Sequence, residues 1–302
     1  IERRAPWVLA GLILLFYWRL VFFGDRFTYL EHPDPAWQIL PWLAAQARFW
    51  AQGEFPLWNP YEWGGQPMLG LMQTGAAFPL NWPLFAAHAL VAADLDFRLV
   101  HWHWTAMHVL GGLFAYALAR ELGASRGAAS VSGVAFGFVG FPARMAWPQI
   151  LNGVVWTPLT FLFLYRWIER GGGWRAAALA GGSIGMSALS GHPRAPLFAA
   201  MAACAVGLWA AARRPREERP HLAGGLATLA AVALATGALQ ILPAVEFGRD
   251  AVRWVGLSEP VSFGEPVPYY VDEGLRMNPV HVFAAVIPIE PGAGDPFVGW
   301  AL

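Results

Sequence analysis

The 302-residue sequence has no lysine, one cysteine and few charged residues of either sign. Charged residues make up 13% of the chain, whereas soluble domains carry about 25%. All 20 basic residues are arginine, and they equal the acidic residues in number, so the formal net charge is zero. A neutral chain has no electrostatic basis for binding nucleic acid. The single cysteine, Cys204, lies in an apolar run, and a lone cysteine excludes an intrachain disulfide.

Metal and nucleotide motifs are also missing. The sequence has no zinc motif, no phosphate-binding glycine loop and no dinucleotide fingerprint. The stretch HWHWTAMH at 101–108 carries three histidines, but His101 and His103 are two positions apart and do not share a helix face. His101 and His108 share a face, yet no third ligand accompanies them. The stretch therefore predicts an aromatic and histidine-rich cap on a helix rather than a metal site.

Apolar and aromatic residues, by contrast, are abundant. Hydrophobic residues make up 57% of the chain, including 17 tryptophans, and tryptophan is enriched at membrane–water interfaces. Several apolar runs approach the ~20 residues that cross a bilayer. We therefore predict an all-α fold, a polytopic transmembrane helix bundle. The predicted spans are Trp7–Phe23, Leu99–Ala119, Ala128–Phe141, Ile150–Trp167, Trp174–Leu189, Ala195–Ala212, Leu222–Val245 and Val280–Leu302.

One further apolar segment, Phe78–Ala93, is ambiguous because Pro79 and Pro83 interrupt its first turns. If this segment does not cross, the arginine-rich connectors share one side of the membrane, which the positive-inside rule identifies as the cytoplasm. If it crosses, the later connectors lie on the other side from the N-terminus. We therefore expect an interfacial or re-entrant segment. The arginines concerned are Arg3, Arg4, Arg120, Arg126, Arg166, Arg170, Arg175, Arg213, Arg214, Arg216 and Arg219.

This topology divides a single transmembrane domain into two parts. Residues 24–98 form a large first extracytoplasmic loop with interfacial helices, and residues 99–302 form the helical bundle. We expect a cytoplasmic N-terminus and an outward-facing site, because most acidic residues lie in the outer loops. The chain starts at Ile1 and ends within an apolar run, so we expect a fragment truncated at its C-terminus. The N-terminal arginines and apolar run also fit a signal peptide, but no small-residue cleavage site follows.

The first outer loop carries a carboxylate in a rigid setting. Asp34 lies between Pro33 and Pro35, and both prolines restrict the backbone around it. A carboxylate held at the membrane surface can remove a proton from an acceptor hydroxyl. Aspartate is also a preferred helix N-cap, so capping of the following helix is the alternative role.

The segment after this carboxylate, Trp37–Trp50, predicts a helix lying flat in the membrane interface. Its apolar positions leave a polar face formed by Gln38, Gln46 and Arg48. We count Gln38, the nearest of these to Asp34, among the candidate substrate-binding residues.

Four stretches of the sequence together indicate a family: DPAWQILPW at 34–42, the run from GEFPLWNPYEWGGQP at 53–67 to NWP at 81–83, LQILPAVEF at 239–247 and NPVHVFAAVIPIEPG at 278–292. They resemble the YfhO-like bacterial membrane proteins, which belong to the GT-C-type glycosyltransferases. Their order and spacing extend the resemblance from about Gly24 to the C-terminus. The resemblance implies a multi-pass enzyme of the bacterial inner membrane. It would move a sugar from a polyprenyl-phosphate donor to an extracytoplasmic glycan, lipid or protein acceptor.

The resemblance also assigns a role to the first-loop carboxylate. Asp34 occupies the position of the family's first-loop aspartate and would act as general base. Some related enzymes use a divalent metal, but this loop has no DxD motif. We therefore expect no metal and no other cofactor.

With this resemblance, the loop GEFPLWNPYEWGGQP at 53–67 is interpreted as part of a substrate-binding site. Its three prolines and paired glycines restrict its shape, while Trp58 and Tyr61 offer flat faces for a sugar ring or a lipid headgroup. Asn59 and the nearby Gln73 supply hydrogen bonds. The alternative is an aromatic belt and tight turn that fix the loop on the bilayer surface.

A polyprenyl-phosphate donor requires cations near the outer headgroups. Arg144 and Arg194 lie at predicted outer helix ends, and the arginine fork makes paired hydrogen bonds to phosphate. Anchoring to lipid phosphate is the alternative role for each. Other polar residues expected at this level are Gln149, Asn152, His192, Arg249 and Glu246, of which Glu246 would pair with an arginine or serve as a second carboxylate.

The candidate catalytic residue is thus Asp34. The candidate substrate-binding residues are Gln38, Trp58, Asn59, Tyr61, Gln73, Arg144, Gln149, His192, Arg194 and Glu246. A transporter or flippase of a lipid-linked substrate could use the same polar residues without bond cleavage. Transporters often contain two repeated halves with interrupted helices, and no clear internal repeat is found here. A non-catalytic envelope assembly protein is the third alternative.

Overall fold

The structure is a computed structural model that describes residues 4–30, 35–91, 96–138, 142, 145–252, 260–262 and 264–266. The described chain is mostly helical, which confirms the all-α prediction. The α-helices are α1 (Ala5–Phe16), α2 (Trp18–Phe22), α3 (Leu40–Ala51), α4 (Trp82–Val91), α5 (Phe97–Glu121), α6 (Arg126–Phe138), α7 (Pro148–Val154), α8 (Thr157–Glu169), α9 (Gly173–Leu189), α10 (Arg194–Arg213) and α11 (Arg219–Asp250).

The region between α2 and α5 contains the remaining regular elements. A π-helical turn at Pro35–Ile39 leads directly into α3, and a 3₁₀ turn at Pro79–Asn81 leads into α4. Between them, strand β1 (Trp58–Asn59) pairs antiparallel with strand β2 (Gln66–Pro67). This hairpin is the turn of the GEFPLWNPYEWGGQP loop.

Prolines at helix starts explain a break that the hydrophobic pattern did not indicate. The predicted span Ile150–Trp167 is wrong as a single helix, because the chain forms α7 and α8 with a turn at Val155 and Trp156. Pro158 lies in the first turn of α8. Proline is tolerated there, where an N–H has no intrahelical partner, but it cannot donate to a preceding helical turn.

Two helices of the described chain, α10 and α11, are long and apolar enough to cross a membrane by length and composition. The other predicted spans in the described ranges correspond to elements that do not meet this test. Helix α1 has 12 residues and ends before Tyr17, and α6 and α8 have 13 each. The predicted span Val280–Leu302 lies outside the described residues. The ambiguous segment forms α4, whose ten residues reach only ~15 Å.

The first loop packs onto the helices rather than extending away from them. Gln240 of α11 is fully buried and its Nε2 donates to the backbone oxygen of Leu69 at 2.6 Å. Gly191, in the turn after α9, has φ +94°, and a Cβ there would lie 2.2 Å from the backbone oxygen of Met72. Only glycine fits this close approach. The loop therefore covers one end of α9 and the C-terminal part of α11.

The predicted polar face of the interfacial helix is wrong at one position. Gln46 is completely buried, and its Nε2 donates to the backbone oxygens of Thr74 at 2.9 Å and of Trp42 at 3.2 Å. The loop that follows the hairpin covers this side of α3 and supplies the partner for the amide. Trp37, an apolar residue just before this helix, is 84% exposed.

Ion pairs collect at the other end of the helices. Glu121 at the end of α5 pairs with Arg166 at 2.6 Å and with Arg170 at 3.7 Å. Arg214, just after α10, pairs with Glu169 at 3.6 Å. The arginine-rich connectors thus meet one another at the helix ends away from the first loop.

Candidate functional site

A buried polar cavity lies between the first loop and the helices. The loop contributes Tyr29, Thr74 and Asn81. Helix α5 contributes His103, and α7 contributes Gln149 and Asn152. Ile39 and Leu43, from the π-helical turn and α3, complete the apolar part of the wall. Separate parts of the chain therefore bring polar side chains to one enclosed space.

Most of these polar groups have no hydrogen-bond partner among the described residues. The unpartnered buried atoms are the hydroxyl of Tyr29, Nε2 of His103, both side-chain heteroatoms of Gln149 and Oδ1 of Asn152. Buried polar atoms in folded proteins are almost always paired, and each unpaired group costs about 1–3 kcal/mol. Because these atoms line one cavity, they make it a candidate site for a polar molecule.

One side of the cavity is fixed by an amide network. Nδ2 of Asn152 donates to Oδ1 of Asn81 at 3.3 Å, and Nδ2 of Asn81 donates to the backbone oxygen of Gly75 at 3.0 Å. Ser187 of α9 donates to the backbone oxygen of Gly153 at 2.8 Å. These bonds hold α7 between the first loop and α9, so the side chain of Asn152 is positioned from both sides.

The opposite side is held by aromatic stacking. The ring of Tyr29 stacks on Trp104 with centroids 4.3 Å apart, and the Trp104 indole donates to the backbone oxygen of Met145 at 3.1 Å. Burial raises the pKa of Tyr29 well above its ordinary value. Its hydroxyl therefore stays protonated and can act as a hydrogen-bond donor in the cavity.

The enclosed volume is small. The cavity measures about 10 Å³, which is at the lower limit for a single water molecule. A sugar ring does not fit without movement of the loop. In this closed arrangement, the polar atoms are therefore shielded beneath Ile39 and Leu43, which belong to the segment that follows Asp34 in the chain.

No protein-family model, curated protein or solved structure matches this chain. Inferences about its function therefore rest on its own residues and their geometry.

The structure locates some of the predicted site residues at this cavity and others elsewhere. Gln149 and Asn152 line the cavity, but His192, expected at the same level, does not. A role for these residues in substrate binding stays a prediction. Asp34 and Arg144 lie outside the described residues. Gln38 is half-buried on the π-helical turn, one residue before Ile39.

The aromatic loop presents exposed rings near its tip. Trp58 is 52% exposed and Tyr61 is 75% exposed, as is Trp63 at 87%. The ring of Trp58 covers Gly65, where a Cβ would lie 2.4 Å from it. Gln73 is half-buried in the tight turn that follows. These rings remain available for contact with a ligand or with lipid.

Asn59 has partners within its own loop. It is buried, its Nδ2 donates to Oε2 of Glu62 at 3.2 Å, and its Oδ1 accepts from the backbone N–H of Tyr61 at 3.2 Å. The same Glu62 oxygen accepts from the indole of Trp42 at 2.6 Å. Glu62 thus ties the hairpin to α3, a role that the sequence analysis did not assign to it.

His192 and Arg194 occupy the turn between α9 and α10. His192 is buried, and burial together with the positive charge of Arg194 lowers its pKa to about 4. Neutral His192 accepts from the backbone N–H of Arg194 at 3.4 Å through Nδ1. Arg194 is exposed and forms no ion pair with any described residue. Its guanidinium is therefore available to an anion.

The remaining predicted site residue, Glu246, is exposed on α11 and forms no ion pair in the described ranges. The three histidines of HWHWTAMH have separate surroundings, since His101 contacts Thr28 at 3.1 Å and His108 contacts the backbone oxygen of Gly137 at 2.7 Å. Among the described residues, no group of three or more His, Cys, Asp or Glu side chains is arranged to hold a metal.

Sequence reasoning missed Tyr29, Asn81 and His103 as members of the cavity. His103 carried a usable signal, because a histidine inside a long apolar helix costs free energy unless it meets a partner or a ligand. Tyr29 and Asn81 carried none, because their residue types are common in loops and their contacts are distant in the chain.

Proposed function

We propose that this chain belongs to a membrane glycosyltransferase that moves a sugar from a polyprenyl-phosphate donor to an acceptor outside the cytoplasm. One observation carries the proposal. Unpartnered polar atoms from the first loop, α5 and α7 converge under the segment that follows Asp34. A site for a hydroxyl-rich substrate needs neutral hydrogen-bonding groups of this kind, and the proposal adds the carboxylate of Asp34, which precedes Ile39 in the sequence.

The surface of the long helices supports membrane insertion of a polytopic bundle. In α10 and α11, only 28% and 22% of the most apolar window is buried. Large side chains are exposed there, including Leu197, Phe198, Leu208 and Leu234. An apolar surface of this extent is typical of contact with lipid or a partner.

The distribution of charge supports the proposed orientation. The polar cavity lies near the start of α5, and Glu121 with its arginine partners lies at the end. The helix rises ~27 Å from His103 to Glu121, close to the ~30 Å of the hydrocarbon core. With the arginine-rich end in the cytoplasm, the cavity and the first loop face outward.

An apolar groove beside Arg194 suits the donor lipid. The groove lies between α9, α10 and α11, has a volume of about 420 Å³ and is lined by side chains such as Pro193, Leu197 and Leu229. An isoprenoid tail in this groove would bring its phosphate to the turn that carries Arg194. The exposed rings of the hairpin would then contact the sugar.

In the proposed reaction, Asp34 removes the proton of the acceptor hydroxyl. The acceptor oxygen forms a bond to the anomeric carbon as the bond from that carbon to the phosphate oxygen breaks. Polyprenyl phosphate leaves with the electron pair, and Arg144 or Arg194 stabilises its charge. A single displacement inverts the anomeric configuration.

The test uses membranes from cells that make the protein, supplied with polyprenyl phosphate carrying a labelled sugar. We expect the label to move from the lipid to an acceptor, with release of polyprenyl phosphate. Movement of intact labelled lipid between leaflets without release would favour the transporter. If neither release nor movement of the labelled lipid is observed, the result favours a non-catalytic envelope assembly protein.

A further inference from the structure

A second cavity lies at the opposite end of the bundle from the polar cavity. It measures about 390 Å³, and its lining includes Glu121, Phe163, Arg166, Arg170, Arg175 and Leu179. Three guanidinium groups from α8, α9 and the connector between them therefore surround a space shared with a single carboxylate. Neither the donor nor the acceptor in the proposed glycosyl transfer occupies this end.

The carboxylate leaves positive charge uncompensated. Oε2 of Glu121 accepts from Nε and Nη2 of Arg166 at 2.9 and 2.6 Å, while Arg170 lies 3.7 Å from the other oxygen. Arg175 lines the cavity and has no hydrogen bond or ion pair with any described residue. Three positive groups against one negative group give a local charge of +2. The cavity is therefore suited to an anion.

The backbone adds to this preference. Helix α9 begins at Gly173, beside the cavity, with no side-chain cap and no acidic residue in its first turn. The N-terminus of a 17-residue helix carries a partial positive charge and unpaired N–H groups. Gly172 lines the cavity, and a Cβ there would lie 2.9 Å from the backbone oxygen of Arg166. The close turn keeps the helix start and the arginines together.

The walls determine what kind of anion fits. Phe163 and Leu179 line the same cavity as the arginines, and Leu179 is 51% exposed. Phe163 is half-buried, with the guanidinium of Arg166 over its ring. A ligand that meets cations and apolar side chains together is an amphiphile. We propose that this cavity binds the phosphate headgroup of one anionic phospholipid, with its acyl chains beside Phe163 and Leu179. Basic pockets between membrane helices bind anionic headgroups in this way.

The experiment uses the purified protein in an uncharged detergent, with bound lipid counted by native mass spectrometry. Phosphatidylglycerol, phosphatidylcholine and inorganic phosphate are each added. We expect one phosphatidylglycerol to be retained per chain and to raise the thermal unfolding midpoint. Arg175→Gln should weaken this binding about fivefold, and Arg170→Gln with Arg175→Gln by more than tenfold, since each arginine contributes about that much to headgroup attraction.

The matched control is Arg213→Gln, which removes an arginine that lies over Trp209 and outside the cavity. It should leave phosphatidylglycerol binding unchanged. If Arg175→Gln and Arg213→Gln weaken phosphatidylglycerol binding equally, the binding depends on general surface charge rather than on this cavity, and the proposal is overturned. If phosphatidylcholine raises the unfolding midpoint as much as phosphatidylglycerol does, the cavity has no preference for an anionic lipid. If inorganic phosphate raises it as much, the ligand is a phosphate ion rather than a lipid. Undiminished binding of phosphatidylglycerol by the variant with both Arg170→Gln and Arg175→Gln would also contradict the proposal.

Discussion

Replacement of Asp34 by asparagine is expected to lower sugar transfer by about a hundredfold to ten-thousandfold, the range attributed to a positioned general base. Asparagine has the same shape as aspartate but cannot accept the proton of the acceptor hydroxyl. Donor binding should stay within a few-fold of the original, because in the proposed complex arginines would hold the phosphate and the apolar groove would hold the tail. The measurements are the transfer rate of labelled sugar and the amount of labelled donor bound.

This substitution separates the two roles considered for Asp34. Asparagine caps a helix about as well as aspartate, so a purely capping residue would tolerate the change in both stability and transfer. The matched control is Asp25→Asn, which alters another first-loop carboxylate, exposed and 3.8 Å from Arg26. The control should retain full transfer. Unchanged transfer by Asp34→Asn would remove this carboxylate from the mechanism.

Replacement of Gln149 by leucine is expected to leave the free energy of unfolding unchanged or raise it by about 1 kcal/mol, because two unpartnered buried heteroatoms are removed. Transfer should nevertheless fall tenfold or more, because the cavity loses a donor and an acceptor for the substrate. A residue that costs stability and supports activity belongs to a functional site. The measurements are denaturant unfolding in detergent and the transfer assay.

Gln240→Leu provides the contrasting control. Gln240 is also completely buried, but its Nε2 donates to the backbone oxygen of Leu69. Its loss should destabilise the fold by about 1 kcal/mol. If Gln149→Leu destabilises the protein as much as Gln240→Leu does, Gln149 has a structural role and the cavity is not a binding site.

The sequence was most informative where the determinants are local. The predicted spans Trp174–Leu189 and Ala195–Ala212 match α9 and α10 closely, because apolar runs there are bounded by glycine, proline and arginine. The division into α7 and α8 depended on Pro158, whose effect on the backbone outweighs the continuous apolar pattern. Burial of Gln46 depended on a loop almost thirty residues further along the chain, and no local pattern records that contact.

In the candidate site, too, the sequence indicated local features but not contacts between distant parts of the chain. Gln149 and Asn152 were predicted because polar side chains within apolar helices cost free energy unless they meet partners or a ligand. The proximity of Asn81 and Asn152, which are 71 positions apart in the sequence, results from packing of the first loop against α7. The role of Glu62 likewise depends on its contact with Trp42, which only the folded loop creates.

We propose that Asp34 and the polar cavity belong to one site on the outer face of the membrane. To test this, Asp34 is replaced by cysteine in a Cys204→Ala background. The measurement is the rate at which the introduced cysteine reacts with a membrane-impermeant maleimide in right-side-out vesicles. We expect the introduced cysteine to react rapidly and the polyprenyl-phosphate sugar to slow this reaction, whereas a cysteine in place of Arg216 should react only after the vesicles are permeabilised. Reaction of both cysteines from the same side, or no protection by the donor, would contradict it.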